Sequence, residues 1–219
     1  MKIKKFFTSL IIYLLFPVGI IFLGFNKKYL LLLILIIAYF AVFYILRKES
    51  IFSILAGYFD KNRNHKKSLK NLYRAYKVKN SSITTANSFI YMLLKTGNYN
   101  KCGEIITQVE KRDMSDNERE ILLSNKALYL WKKNKISDSI SLYEELIKRH
   151  ESSAVYSAYG YIVTLGNDLN KALEVNLKAY DYHNGNKAIL DNLGLIYIKL
   201  GKLDKAYDIY TNLMKKSGY

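Results

Sequence analysis

The chain has 219 residues, 50% of them hydrophobic, with one Pro and one Cys, a composition that excludes a disulfide scaffold, a collagen-like repeat and a Pro-rich linker protein. Its 34 Lys and Arg outnumber 18 Asp and Glu, for a formal charge of +16. The apolar residues are unevenly shared: Phe6 to Phe25 is a run of 20 without a charge and Tyr29 to Leu46 another of 18, while every acidic residue lies from Arg47 onward.

As helices, runs of this length cover about 27 to 30 Å, the thickness of a hydrocarbon core. Two transmembrane helices are therefore expected, at about residues 6–25 and 29–46, joined by Asn26, Lys27 and Lys28. Pro17 should kink the first, and Tyr29 and Tyr44 suit headgroup depth at the ends of the second. Lys2, Lys4 and Lys5 ahead of the first run give it the look of a signal peptide. No small-x-small cleavage site follows, and the second run begins three residues later, so the first is read as a retained span. Lys2, Lys4, Lys5, Arg47 and Lys48 flank the pair on one side, which places both termini in the cytoplasm. Residues 1–48 are thus a membrane anchor.

Residues 49–219 repeat. Gly160 and Gly194 are 34 residues apart, and so are Ala172 and Ala206. Around them Tyr159-Gly-Tyr-Ile-Val163 answers Leu193-Gly-Leu-Ile-Tyr197, and Leu169-Asn-Lys-Ala-Leu173 answers Leu203-Asp-Lys-Ala-Tyr207. A period of this length with paired helical patterns is the mark of a solenoid. Residues three and four apart share a helix face, so Leu190, Leu193, Gly194 and Tyr197 form one stripe. Small residues at Gly194, Ala206 and their equivalents are expected where two backbones approach.

In chain order the predicted units begin with Phe52, Leu55, Ala56, Phe59, Ser68, Leu72 and Ala75. The second has Ala86, Phe89, Ile90, Leu93, Gly97, Cys102, Ile106 and Val109. Leu123, Ala127, Leu130, Ser139, Tyr143 and Leu146 mark the third, and Gly160, Val163, Ala172 and Ala179 the fourth. The fifth has Leu190 to Leu213. Asn176 replaces the aromatic that Tyr210 supplies, either weakening one packing position or marking a polar contact. Ser115-Asp-Asn-Glu118 has the form of a capping box. Gly97, Gly166 and Gly201 fall at turns inside the pairs.

These units resemble tetratricopeptide (TPR) repeats, and the whole is similar to a membrane-anchored bacterial TPR protein. The resemblance implies an all-α fold, a transmembrane helical hairpin followed by a right-handed α-solenoid of about five helix pairs, integral to the plasma membrane with its solenoid in the cytoplasm. It further implies that the first helix of each pair lines a concave groove for a peptide or protein. From the register, that groove should present Asn87, Tyr91, Leu94 and Lys95; Ser124, Leu128, Trp131 and Lys132; Ser157, Tyr161 and Thr164; and Asp191, Leu195, Ile198 and Lys199. Trp131, the one tryptophan, is the expected anchor. The family's carboxylate clamp uses Lys and Asn where Ser124, Ser157 and Asp191 stand here, so that clamp is not expected.

Catalysis finds little support. His65, His150 and His183 are scattered, no His-Glu-x-x-His or Cys-x-x-Cys occurs, and Cys102 sits at a small-residue position. No enzyme activity, metal or cofactor is expected, and pairs such as Glu144 and Glu145 read as solvated helix faces. Arg47, Lys48, Lys61, Arg63, Lys66 and Lys67 form an expected membrane-proximal basic edge toward anionic lipid headgroups. Nucleic acid would want the same sign, but the basic residues are scattered and no nucleic-acid motif accompanies them. The leading expectation is a membrane-tethered scaffold that binds a protein or peptide in its groove. The alternative is an accessory or assembly subunit of a larger membrane complex, with contacts made through the hairpin.

Overall fold

A computed structural model of the chain describes Val18, Ile21 and residues 29–149, 151–166 and 168–217. The expected first span, and with it the hairpin, the Pro17 kink and the basic residues before Tyr29, falls outside them except for Val18 and Ile21, which are helical and exposed. His150 is outside as well. The described elements are helices, and the chain divides into two units between Thr85 and Ala86.

The first unit is built on α1, Tyr29–Lys61, a single helix of 33 residues. The expected boundary at residue 48 leaves no break in it, because Arg47-Lys-Glu-Ser50 carries neither Pro nor Gly and the helix passes straight through. Its 18-residue apolar stretch is long and apolar enough to cross a membrane, and none of it is buried. Beyond that stretch Ala56 is buried against α2, His65–Tyr76, together with Ser68, Leu72 and Ala75 from α2. Leu55, expected in this packing, is instead 40% exposed.

Chain reversal between α1 and α2 occurs at Arg63, whose φ is +57°. Asn64 caps α2 by accepting from Lys67 N at 3.1 Å, and Asp60 Oδ1 meets His65 Nδ1 at 2.9 Å. Still within the first unit, Glu49 of α1 is bonded by Ser82 and Thr85 at the entry to α3, Ile83–Lys95, whose residues from Ala86 onward belong to the second unit. One carboxylate oxygen accepts from Ser82 N at 2.9 Å, Ser82 Oγ at 2.6 Å and Thr85 Oγ1 at 2.7 Å. A carboxylate there also lies favourably in the field of the helix N-terminus.

In the second unit α3 is followed by α4 (Tyr99–Val109), whose Cys102 reaches back to Ile90, and the later helices pair as α5 (Asp116–Lys132) with α6 (Ile136–Arg149), α7 (Ser153–Thr164) with α8 (Leu169–Tyr182), and α9 (Lys187–Lys199) with α10 (Leu203–Ser217). Small or compact residues are buried on both helices of the pairs, at Ala127 and Ser139, Gly160 and Ala172, and Gly194 and Ala206. Ser139 Oγ donates to Ala127 O at 2.8 Å, and Cys102 Sγ lies 3.9 Å from Ile90 O, so the same contact recurs with different chemistry. Burial pushes the Cys102 thiol up to about 12, as expected of a packing residue rather than a nucleophile.

Gly97 and Gly201 have φ of +75° and +70°, and the amide after each returns 2.9 Å to a carbonyl five residues back, the Schellman reversal. Asn134, φ +61°, does the same job between α5 and α6. Gly166, expected in that role, does not have a positive φ; the position in register with Gly201 is residue 167, outside the described residues. Ser115 and Glu118 make both bonds of the capping box, Glu118 Oε2 accepting from Ser115 N at 3.0 Å and Ser115 Oγ from Glu118 N at 3.4 Å. The core runs through Tyr143, Leu146, Tyr159, Ile162, Leu193 and Ile196, with the Tyr143 and Tyr159 rings stacked at 5.8 Å.

Candidate functional site

First helices are joined to one another by asparagines the sequence reading missed. Asn125 Nδ2 donates to Asn87 O at 3.2 Å and Asn192 Nδ2 to Ser157 O at 2.8 Å. Both sit two residues before the small residue of their helix, Ala127 and Gly194, and this shared offset is the signal that could have found them. Between these links, Tyr143 Oη donates to Ser124 O at 3.2 Å and Tyr210 Oη to Asp191 O at 3.3 Å. Asn87, Ser124, Ser157 and Asp191, one in each first helix from α3 to α9, thus each offer a carbonyl that takes a side-chain donor. A carbonyl that accepts in this way tolerates burial without cost.

Asn176 settles as a polar contact. Its Nδ2 donates to Thr164 Oγ1 and Ala172 O, both at 2.8 Å, and to Gly160 O at 3.3 Å, and a Cβ on residue 160 would lie 2.5 Å from its Oδ1. The side chain is fully buried, so it substitutes hydrogen bonds for the ring that Tyr210 supplies beside Gly194.

Several expected groove residues move. Asn87 is only 3% exposed and donates to Glu118 O at 3.0 Å, while Tyr91 and Lys95, placed on the same face by their spacing, are exposed. Each four-residue step turns about 40° around a helix, so two steps rotate Lys95 about 80° away from Asn87. Leu94 and Thr164 are buried, and Leu128 and Leu195 half-buried. Lys199 is exposed, but its ammonium donates to Thr164 O at 2.5 Å, which makes it a clasp between α9 and α7 rather than a free cation.

What remains clusters around Trp131. Its indole is half-buried, meets the exposed Tyr161 ring edge-to-face at 5.6 Å, and has the Lys132 ammonium 4.0 Å from its centroid. Two successive first helices, α5 and α7, thus present an aromatic pair beside a cation. Such a patch offers an apolar face and a positive point for a peptide side chain or carboxylate.

Electrostatics elsewhere are those of a packed repeat. Glu144 Oε1 of α6 accepts from Lys171 Nζ at 2.6 Å and Tyr159 Oη at 3.1 Å; the Lys171 bond above all holds its carboxyl below the ordinary range. Burial, then Glu144, raises the Tyr159 phenol. Burial, then Glu151, pushes Tyr156 up to about 12. No three His, Cys, Asp or Glu residues gather as a metal site among the described residues. His65 and His183 instead make local bonds, His183 Nδ1 to Ser153 Oγ at 2.6 Å.

Packing, turns and the carbonyl pattern together define the architecture. The fold is a TPR-like α-solenoid. MamA from Desulfovibrio magneticus RS-1 superposes with a TM-score of 0.54 at 15% identity, over 78% of this chain and 95% of that one. PilF from Pseudomonas aeruginosa does so at 0.60 and 13% identity, over 78% of each. The TPR-like repeats attributed to a Podospora anserina kinesin light chain reach 0.57 at 12%, over 78% and 95%. In sequence, 123 residues are 30% identical to the BBSome complex member BBS4 of Bos taurus, 56% of this chain but 23% of that protein. The chain therefore spans about a quarter of the curated relative it matches. No family model matches.

The basic residues expected at the membrane fall into two groups. Arg47 and Lys48 adjoin the apolar stretch, whereas Lys61, Arg63, Lys66 and Lys67 lie at the far end of α1 and the start of α2. Lys61 is thirteen helical steps beyond Lys48, or about 20 Å of rise, twice a Debye length of about 10 Å. Along the unbroken α1 the two groups therefore stand apart.

Proposed function

We propose that the chain is a membrane-tethered scaffold: Tyr29–Leu46, with the apolar run before it as a hairpin, crosses the bilayer, and the repeats stand in the cytoplasm and bind a protein or peptide. The Trp131–Tyr161 pair with Lys132 across the indole carries this reading. It sets an aromatic pair and a cation side by side on two successive first helices. Interface energy concentrates in such anchors. Tyr91 and Lys95 of α3 extend the surface, and Leu128 and Leu195 contribute apolar edges. The BBSome relative is itself a member of a complex, which supports assembly with other proteins as the general role.

A photoreactive residue in place of Trp131, activated in intact membranes, tests the scaffold. One discrete adduct is expected, and none when the same residue replaces the exposed Tyr207 of α10. Equal labelling from both positions, or none from either, would overturn the groove as the binding surface. Recovery of the chain in the soluble fraction after an alkaline wash would overturn the membrane span. The accessory-subunit alternative draws on the apolar stretch of α1, none of which is buried; adducts that form from Ile37 and not from residue 131 would decide for it.

A further inference from the structure

The apolar stretch of α1 gives way to a built hollow. Tyr44, Lys48 and Phe52 follow one another at four-residue intervals on one side of α1, and the Tyr44 and Phe52 rings meet edge-to-face at 6.5 Å. From Lys67, whose ammonium lies 5.3 Å from the Phe59 ring, α2 runs back alongside until Arg74 lies 5.7 Å from the Phe52 ring. The C-terminal end of α2 is thereby returned to the level of Lys48. Tyr44, Lys48, Phe52, Tyr73, Arg74 and Lys77, with Val78, line an open hollow of about 590 Å³. Three of the lining side chains are cationic and none is a carboxylate.

We infer that this hollow holds the phosphate-bearing headgroup of an anionic phospholipid such as phosphatidylglycerol. The inference rests on the reading that Tyr29–Leu46 crosses the bilayer. Under it, Tyr44 stands at the end of the span, at the depth where tyrosines concentrate. Lys48, one turn further out, reaches the depth of the phosphates, and Arg74 and Lys77 approach from α2. A guanidinium already resting on the Phe52 ring is held in place before the ligand arrives, and it can donate two parallel bonds to a phosphodiester. The aromatic rings give the glycerol and upper acyl carbons an apolar wall. Three cations without a carboxylate oppose a choline or ethanolamine group, so an anionic headgroup fits and a zwitterionic one does not.

The test uses the full chain purified in detergent and titrated with short-chain phosphatidylglycerol or phosphatidylcholine, with bound lipid counted by native mass spectrometry. One molecule of phosphatidylglycerol is expected to bind, with phosphatidylcholine weaker by about tenfold or more. The Lys48→Gln and Lys77→Gln double variant should lose about tenfold in affinity. It leaves the Arg74–Phe52 contact in place, and a thermal melt by circular dichroism verifies its fold. A control pair, Lys61→Gln with Lys66→Gln, removes the same charge at the far end of α1 and the start of α2 and should change nothing. Equal loss in both pairs, or equal binding of the two lipids, would overturn the inference. So would displacement by inorganic phosphate at matching concentration, since the site would then be one for free phosphate. Should the Lys48 and Lys77 pair unfold, Lys77→Gln alone decides by the same readout. Failure of the membrane span itself appears separately, as a chain released by alkaline wash.

Discussion

A Cβ placed on Gly194 would lie 2.7 Å from two ring carbons of Tyr210, while the hydroxyl of that ring donates to Asp191 O at 3.3 Å. The glycine and the tyrosine are therefore one device: the ring takes the space a side chain at 194 would fill, and its hydroxyl reaches a carbonyl one turn earlier. Gly194→Leu should lower unfolding stability by about 1 to 3 kcal/mol or more. Gly57 is also helical, but nothing lies within 4 Å of the same added atom. Gly57→Ala should thus be neutral or gain up to about 1 kcal/mol from helix propensity. Chemical denaturation of the two variants side by side checks both signs, and a Gly194→Leu protein as stable as its parent would contradict the packing.

Trp131 is both packed and accessible, and its removal should show both. Loss of the edge-to-face contact with Tyr161 is expected to cost about 0.5 to 1.5 kcal/mol of stability. Loss of the anchor should weaken partner binding by about 2 kcal/mol or more. The one indole in the chain also makes its fluorescence a direct monitor of ligand binding. Reduced stability with unchanged affinity would assign Trp131 to packing alone.

Asn176 replaces a ring with three hydrogen bonds, two of them at 2.8 Å. Asn176→Ala should destabilise by about 1 to 3 kcal/mol, through lost bonds and the space left beside Gly160. Urea denaturation measures it. A midpoint equal to that of the parent would show that the network contributes nothing.

The Glu144 carboxyl is held low chiefly by Lys171, and this gives a signed pH dependence. In the unfolded chain the group takes its proton near an ordinary glutamate value of about 4.3; in the folded chain it does so only at lower pH. Its contribution is therefore complete above about pH 4.3 and lost as pH falls through the depressed folded value. The pair is about two-fifths exposed on each side, at 40% and 41%, so screening keeps the effect below about 1 kcal/mol. Glu144→Gln should be less stable than the parent at neutral pH, and the gap should close under acid. Thermal melts at two pH values test this, and a gap that widens on acidification would reverse the sign.

Much of the fold follows from the amino-acid order alone, and the reason is locality. Ser115 and Glu118, Gly97 and Gly201, and the small residues at Ala127, Gly160, Ala172, Gly194 and Ala206 all act within one helix, one turn or one pair. Their spacing along the chain therefore carries the information. The apolar run from Tyr29 to Leu46 is equally plain, because length and composition suffice to make a helix able to cross a bilayer.

Tertiary structure decided which side chains are left over. Asn87 and Lys199 satisfy any exposed-face pattern, yet one is buried against Glu118 O and the other tied to Thr164 O, since a neighbouring helix supplies a carbonyl that no local spacing reveals. Trp131 meets Tyr161 thirty residues on, and Arg74 returns to Phe52 only because α2 folds back along α1. Periodicity fixes a residue's angle around its own helix; the position of the next helix, which packing sets, determines whether that angle faces solvent, a partner or a carbonyl.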